Sequence, residues 1–174
     1  MKCSMKTRRA RAADAPAIHG LIDLYAAEGL LLPRDAEEIR THAGHFLVLE
    51  NAGGIIGCVA LEPYGADLAE IRSLALAPGT RSRGLGGRLL VGAMAEAKSR
   101  GIARVFAVTH APGFFLRYGF EARNRRMLPE KIERDCLHCP KMKTCKLSAV
   151  VADLLPARLA LHVFEPASAP PVPA

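Results

Sequence analysis

The chain has 174 residues, half of them hydrophobic, and a formal net charge of +7, which fits one compact domain with a proper core. No stretch reaches the roughly 18 apolar residues that would span a bilayer, and the basic start MKCSMKTRRARAADAP lacks the apolar stretch of a signal peptide, so a cytoplasmic protein is expected. The Lys and Arg residues are scattered, and six Phe and three Tyr offer few surfaces for stacking bases; these features favour a solvated basic surface or attraction of small anions over nucleic acid.

Residues 7–12 read as a first strand. Asp14 has the character of an N-cap with Pro16 in the first turn, and Ile18, Leu21, Ile22 and Tyr25 follow at helical spacing to about Gly29. DAEE at 35–38 has the capping-box pattern and predicts a short second helix with Ile39 inward. HFLVLE (45–50), the turn NAGG and IIGCVALE (55–62) predict an antiparallel hairpin, and LAEIRSLALA (68–77) a third strand closed by Pro78. From Gly84 onward, Leu85, Leu89, Leu90, Ala93, Met94 and Ala97 recur at helical spacing, with Gly101 as the C-cap. A buried strand at 102–109, a short helix at 112–118, a strand at 120–128 and a last strand at 147–155 complete the order. Such an order predicts an α/β (α+β) fold, a mixed sheet of six to seven strands flanked by about four helices on both faces. The domain is placed at 5–155, with a cysteine-containing segment at 129–146. An extension follows at 156–174, whose Pro- and Ala-rich last ten residues are expected to be disordered.

RSRGLGGRLL, residues 81–90, sets three glycines among basic residues at the start of a helix. It is not the dinucleotide fingerprint, which would need glycine where Leu89 stands, nor a P-loop, since no G-K-[ST] follows. Unpaired N–H groups of a helix's first turn, its dipole and the charges of Arg81, Arg83 and Arg88 suit a diphosphate, whereas the bland alternative is a glycine-rich helix start that only packs tightly.

LALAPGTRSRGLGGRLL resembles the acetyl-CoA motif of the GNAT superfamily: Arg or Gln, two residues, Gly, one residue, then Gly or Ala, filled by Arg81, Gly84 and Gly86. FFLRYGF (114–120) is similar to the superfamily's short helix ending in Gly-Phe. LAEIRSLALAP, FAVT and LPEKIERDCLHCPKMKTC resemble the short stand-alone amino-acid N-acetyltransferases of the N-acetylglutamate synthase type. The resemblance covers about residues 7–154. It implies a GNAT fold and acetyl-CoA as co-substrate. Backbone groups of Arg81, Ser82, Arg83, Gly84, Leu85, Gly86 and Gly87 would hold the pyrophosphate, and the strand at Leu74–Leu76 would pair with the pantetheine arm. A backbone N–H near Leu76 would polarise the thioester carbonyl.

An amine nucleophile must lose a proton, and a carboxylate can take it. Alternation along the strand puts Glu70, Arg72 and Leu74 on one face. Glu70 is thus the expected base, or the residue that orients the amine, with Glu62 ending the neighbouring strand. Arg72 is the expected clamp on a substrate α-carboxylate, the alternative being a surface ion pair. Lys131 is a candidate for a second substrate carboxylate or an exposed helix lysine, and Arg117 for the cofactor's 3′-phosphate or the substrate. One departure stands out: where many members of the superfamily carry a proton-donating tyrosine, four residues before Gly119, this chain has Phe115. Tyr118, a water or no group at all could then protonate the leaving thiolate.

Cys136, Cys139 and Cys145 form C-x2-C-x5-C, close to half of a zinc site; the alternatives are free or partly oxidised thiols and, behind these, an iron–sulfur cluster. His138 is badly placed to close such a site, and Cys3, Asp135 and His162 are distant fourth ligands; Cys58 in an apolar strand reads as core. A second departure follows the last cysteine, where KLSAVV stands in place of an acidic pair. The reading is an acetyl-CoA-dependent N-acetyltransferase for the α-amine of a small acidic amino acid, L-glutamate first, in arginine biosynthesis, with room for a homodimer. The rivals are another acceptor (glutamine, a polyamine, a protein N-terminus) or a non-catalytic acetyl-CoA- or metal-binding regulator.

Overall fold

A computed structural model describes residues 5–80 and 84–155. The elements run β1 (Lys6–Arg9), α1 (Ala15–Ala27), α2 (Ala36–Thr41), β2 (Phe46–Asn51), β3 (Gly54–Pro63), β4 (Leu68–Leu76), α3 (Leu85–Ser99), β5 (Arg104–Thr109), α4 (Pro112–Leu116), β6 (Glu121–Arg123), α5 (Pro129–Lys131) and β7 (Ser148–Asp153). The strands form one mixed sheet in the order β1-β2-β3-β4-β5-β7-β6, parallel only between β4 and β5. Helices cover both faces, which is why β2 and β3 read as near-continuous apolar runs rather than alternating ones.

On one face, α3 lays Leu85, Leu89, Leu90, Ala93 and Ala97 over Leu47, Leu49, Val59, Leu61, Ala69 and Ile71. On the other, Ile18, Leu21 and Ile22 of α1 and Ile39 of α2 pack on Phe46, Val48, Cys58 and Ala60. Asp35 caps α2 by accepting from the N–H groups of Glu37 and Glu38. Asp14 occupies the N-cap position of α1, but its carboxylate is turned to the Arg11 N–H and the Arg8 guanidinium instead.

At two strand boundaries that differ from expectation, a local hydrogen bond explains the difference. Ile102 donates to Ala97 and finishes α3, so β5 begins at Arg104. The strand expected over 120–128 stops at Arg123, because the Asn124 side chain accepts from the Arg126 N–H and opens a 3-10 turn.

Beyond Ala60 and Arg72, the register of β3 against β4 slips: Cys58 faces Ala75, so two steps on β3 oppose three on β4. Ser73 is the extra residue, held at φ 53° in the left-handed region, and its carbonyl takes the buried Cys58 thiol. A bulge of this kind bends its strand and increases the local twist. It also turns Leu74 over: alternation had placed Leu74 with Glu70 and Arg72, but Leu74 and Leu76 pack into the α3 face. β4 and β5 pair only at Leu68–Arg104, Ala69–Val105 and Glu70–Phe106, although β4 runs on to Leu76 and β5 to Thr109. The sheet therefore opens along a seam after Glu70.

Leu89 is fully buried at the centre of the α3 contact. Leu89→Ala is expected to cost about 2–5 kcal/mol by leaving a cavity, read as a lower denaturation midpoint with an unchanged m-value.

Candidate active site

The seam and the start of α3 meet. Ala77 donates its N–H to Ile56 on β3, so strand alternation turns the N–H and C=O of Leu76 away from β3, toward the opening. The Leu76 carbonyl accepts from the Tyr25 hydroxyl of α1. The first helical bond of α3 runs from the Arg88 N–H to Gly84; the N–H groups of Leu85, Gly86 and Gly87 precede it and have no carbonyl within the helix. Gly84, at φ 72°, turns the chain into this helix without a side-chain cap. A Cβ on Gly86 would lie 3.8 Å from Leu74 and 3.6 Å from the Phe114 ring, which places the helix start beside the seam with α4 across from it. Gly87 is packed tighter: a Cβ there would fall 1.7 Å from the Tyr118 hydroxyl. These N–H groups, without a carbonyl inside the helix, fit an anionic, extended ligand such as coenzyme A. Arg81, Ser82 and Arg83 lie outside the described residues. Arg88 is turned to the Met5 carbonyl, 2.7 Å away, and Arg117 lies 6.0 Å from the Phe114 ring centre.

At the point where the seam opens, charged side chains gather on the opposite sheet face. Glu70 and Arg72 project side by side from β4, with Arg72 Nη1 3.7 Å from Glu70 Oε2. Arg72 Nη2 pairs with Glu62 at 3.0 Å. α5 crosses this face and continues as a π-helical turn, Ile132–Cys136, bringing in Lys131, Arg134 and Asp135. Lys131 Nζ donates to Glu70 Oε2 at 2.8 Å and Asp135 Oδ2 at 2.6 Å, with Tyr64 Oη at 3.3 Å. Tyr64 Oη lies 3.1 Å from Glu70 Oε2 and also bonds Asp135 Oδ2. Its ring stands edge-on to Phe106 and beneath the Arg134 guanidinium, 4.4 Å from the ring centre. Arg134 also donates to Glu62 at 2.6 Å, and His45 lies 3.4 Å from the same carboxylate. Glu70 is 3% exposed and Lys131 8%. Among the described residues, Arg72 Nε is buried with no hydrogen-bond partner.

Burial works against the charge on Glu62, but the hydrogen bond from Arg134 and the charges of Arg72, His45 and Arg134 hold it below the ordinary value of 4.5. Burial likewise opposes ionisation of Asp135, yet hydrogen bonds from Lys131 and Tyr64 and the charges of Lys131 and Arg72 keep it below 3.8. Burial, with the charges of Glu70 and Asp135, pushes the Tyr64 phenol well above its usual range.

The structure thus brings together Glu70, Arg72 and Lys131, and separately the seam residues Leu74 and Leu76 with Gly84 to Gly87. Sequence reasoning missed Tyr64 and Arg134, and took Asp135 only as a distant metal ligand. The zinc reading is corrected. Among the described residues no three His, Cys, Asp or Glu side chains gather to hold a metal, and Cys136, Cys139 and Cys145 are free thiols. Cys145 Sγ instead accepts from the Arg125 guanidinium at 2.8 Å. Burial raises its thiol, but the Leu147 N–H and Arg125 bring it below the usual value. Cys58 is core, pushed up to about 12 by burial. Phe115 is buried against Phe120.

A strand bent by a bulge, a parallel neighbour that parts from it and a glycine-bearing helix start at the opening frame the site. A model of the acetyltransferase (GNAT) domain matches residues 42–122. The chain is 42% identical over 147 residues to a Chlorobaculum tepidum protein named an uncharacterized N-acetyltransferase, CT2212, covering 84% of this chain and 95% of that one; it belongs to this family of N-acetyltransferases. It is also 36% identical over 130 residues to an amino-acid acetyltransferase of Neisseria meningitidis, of which it spans only 30%. An amino-acid acetyltransferase of Mycobacterium tuberculosis is 35% identical over 121 residues, 68% of this chain and 69% of that one. Among solved structures, N-acetylglutamate synthase of Neisseria gonorrhoeae, complexed with coenzyme A and N-acetyl-glutamate, superposes with a TM-score of 0.79 at 30% identity, covering 90% of this chain and 36% of that one.

Two outcomes follow from the geometry. Gly87→Ala, which must displace Tyr118, is expected to cost about 1–3 kcal/mol in chemical denaturation, whereas Gly86→Ala, whose Cβ would make only ordinary contacts, stays close to the parent. Because the carboxyls of Glu62 and Asp135 are depressed in the folded protein, the stability they contribute is complete above about pH 5 and is lost as pH falls through their lowered values. Asp135→Asn should flatten that decline in denaturation midpoints measured from pH 6 to 3.

Proposed function

We propose that this acetyltransferase moves the acetyl group of acetyl-CoA to the α-amine of a small acidic amino acid, L-glutamate first, the opening step of arginine biosynthesis. The observation that carries the reading is the pair Glu70 and Arg72, a carboxylate and a guanidinium side by side where the β4–β5 seam opens. The amino-acid acetyltransferase relatives and the N-acetylglutamate synthase structure support it.

In this reading, the first-turn N–H groups of Leu85, Gly86 and Gly87, completed by Arg81, Ser82, Arg83 and Gly84, receive the pyrophosphate. Leu74 and Leu76 offer their backbone to the pantetheine arm. The Leu76 N–H takes up charge developing on the thioester oxygen, which a fixed donor in a dry site does at no reorganisation cost. Glu70 accepts the proton that an ammonium must lose before it can attack. Arg72 holds the α-carboxylate, and its unpartnered buried Nε supplies a donor for it. With Phe115 unable to donate a proton, Tyr118, whose hydroxyl lies against Gly87, is the phenol nearest the cradle.

Lys131 favours a second reading of the acceptor. Its protons are directed at Glu70, Asp135 and Tyr64, so a second substrate carboxylate must displace Asp135 to reach it. An acceptor with one carboxylate, such as glutamine, meets no such cost.

The test is coenzyme A release from acetyl-CoA with glutamate, glutamine, aspartate and simple amines. Glutamate-selective turnover is expected, and Arg72→Ala should raise KM for the amino acid about 10- to 150-fold, the loss of about 1.5–3 kcal/mol in a charged hydrogen bond. Glutamine-selective turnover would favour the second reading. Acetyl-CoA binding without turnover of any amino acid would overturn both.

A further inference from the structure

If Glu70 takes the proton of the amine, as proposed above, it must lose it again in each cycle, and it is 3% exposed. Its Oε2 has three polar neighbours: Lys131 Nζ at 2.8 Å, Tyr64 Oη at 3.1 Å and Arg72 Nη1 at 3.7 Å. A charged lysine and a guanidinium only donate; a phenol both donates and accepts. The same Tyr64 oxygen bonds Asp135, whose side chain is 31% exposed and can exchange protons with water.

We infer that Tyr64 is a relay residue, passing the proton captured by Glu70 to Asp135 and from there to solvent. The step balances. The O–H bond of protonated Glu70 breaks as a new one forms on Tyr64 Oη, the original Tyr64 O–H breaks as one forms on Asp135 Oδ2, and Asp135 then gives its proton to water. Net, Glu70 returns to the carboxylate and one proton leaves; the hydroxyl then turns back toward Asp135.

The surroundings suit this transfer. Lys131 touches all three oxygens, so its charge stays within reach while negative charge moves from Asp135 to Glu70. Arg72 lies within 4.0 Å of both carboxylates, and Arg134 and Glu62 compensate one another at the edge. Phe106 and Arg134 grip the ring from two sides, which keeps the oxygen between its two partners. The raised phenol fits concerted transfer, in which no free phenolate forms.

Tyr64 acts through Glu70 and does not touch substrate in this scheme, so its test needs more than a rate. In the full chain, Tyr64→Phe keeps the ring and removes the relay. The expected result is a kcat about 10- to 100-fold lower at pH 7, a part of the roughly 100- to 10,000-fold that positioned proton transfer contributes, with KM for the acceptor unchanged. As pH rises from 7 to 9, kcat should recover, because more of the acceptor arrives already deprotonated. Asp135→Asn should show the same profile, and the double variant should be no slower than the slower single one, since both cut one path. Denaturation midpoints of each variant establish that the protein is folded. A Tyr64→Phe enzyme with the parent's kcat and pH profile, or one whose loss lies in KM alone, overturns the relay. If Glu70→Gln is inactive in that case, the role of Glu70 stands. A Glu70→Gln enzyme that retains activity removes the base itself and the relay with it.

Discussion

One extra residue in β4 governs the molecule. By taking a left-handed conformation at Ser73, the chain lets β4 satisfy β3 on one edge while leaving β5 on the other. A regular strand would have carried the parallel ladder on toward Leu76, sealing the backbone groups that a thioester arm would need. The bulge also sorts the side chains: Glu70 and Arg72 stay with the charged cluster, and Leu74 and Leu76 pass to the α3 face. A left-handed non-glycine residue costs on the order of 1–3 kcal/mol; β3 on one side and the packed α3 face on the other hold it there.

The charged cluster is the second constraint. Three carboxylates (Glu62, Glu70, Asp135) meet three cations (Arg72, Lys131, Arg134) on one face. Burying ions is costly, and removing one partner leaves another uncompensated. The cluster therefore tolerates loss of a charge poorly, yet it would offer the amino acid of the proposed reaction both signs at short range. An acceptor that carries its own ammonium and carboxylate can exchange partners with it and leave the balance of charge intact.

Much of this was legible in the sequence because it rests on local signals. Helical spacing from Leu85 to Ala97, the Asp35 cap and the hairpin around NAGG need only neighbouring residues. The glycines at 84–87 pointed to the helix start for the same reason. The bulge was not legible, since Ser73 in LAEIRSLALA carries no glycine or asparagine to mark a left-handed turn, and strict alternation then assigned Leu74 to the wrong face. Tyr64 and Arg134 were invisible for another reason: 70 residues separate them, and only the crossing of α5 over the sheet joins them. The cysteine spacing misled, because C-x2-C speaks of a metal only when further ligands fold toward it, and among the described residues no such group gathers; Cys145 takes a hydrogen bond from Arg125.

The crossing segment has a wider meaning. In the proposed reaction, the groups that would face the acyl donor belong to the main chain, in the seam and the first turn of α3, so they would survive almost any substitution that preserves the fold. Those that would meet the acceptor are side chains, and three of them, Lys131, Arg134 and Asp135, stand within five positions of one short helix. On that proposal, a handful of exchanges in that helix would redirect the protein to a different amine while every element assigned to the thioester stayed as it is. The donor would then be inherited with the fold, and the acceptor would be open to change.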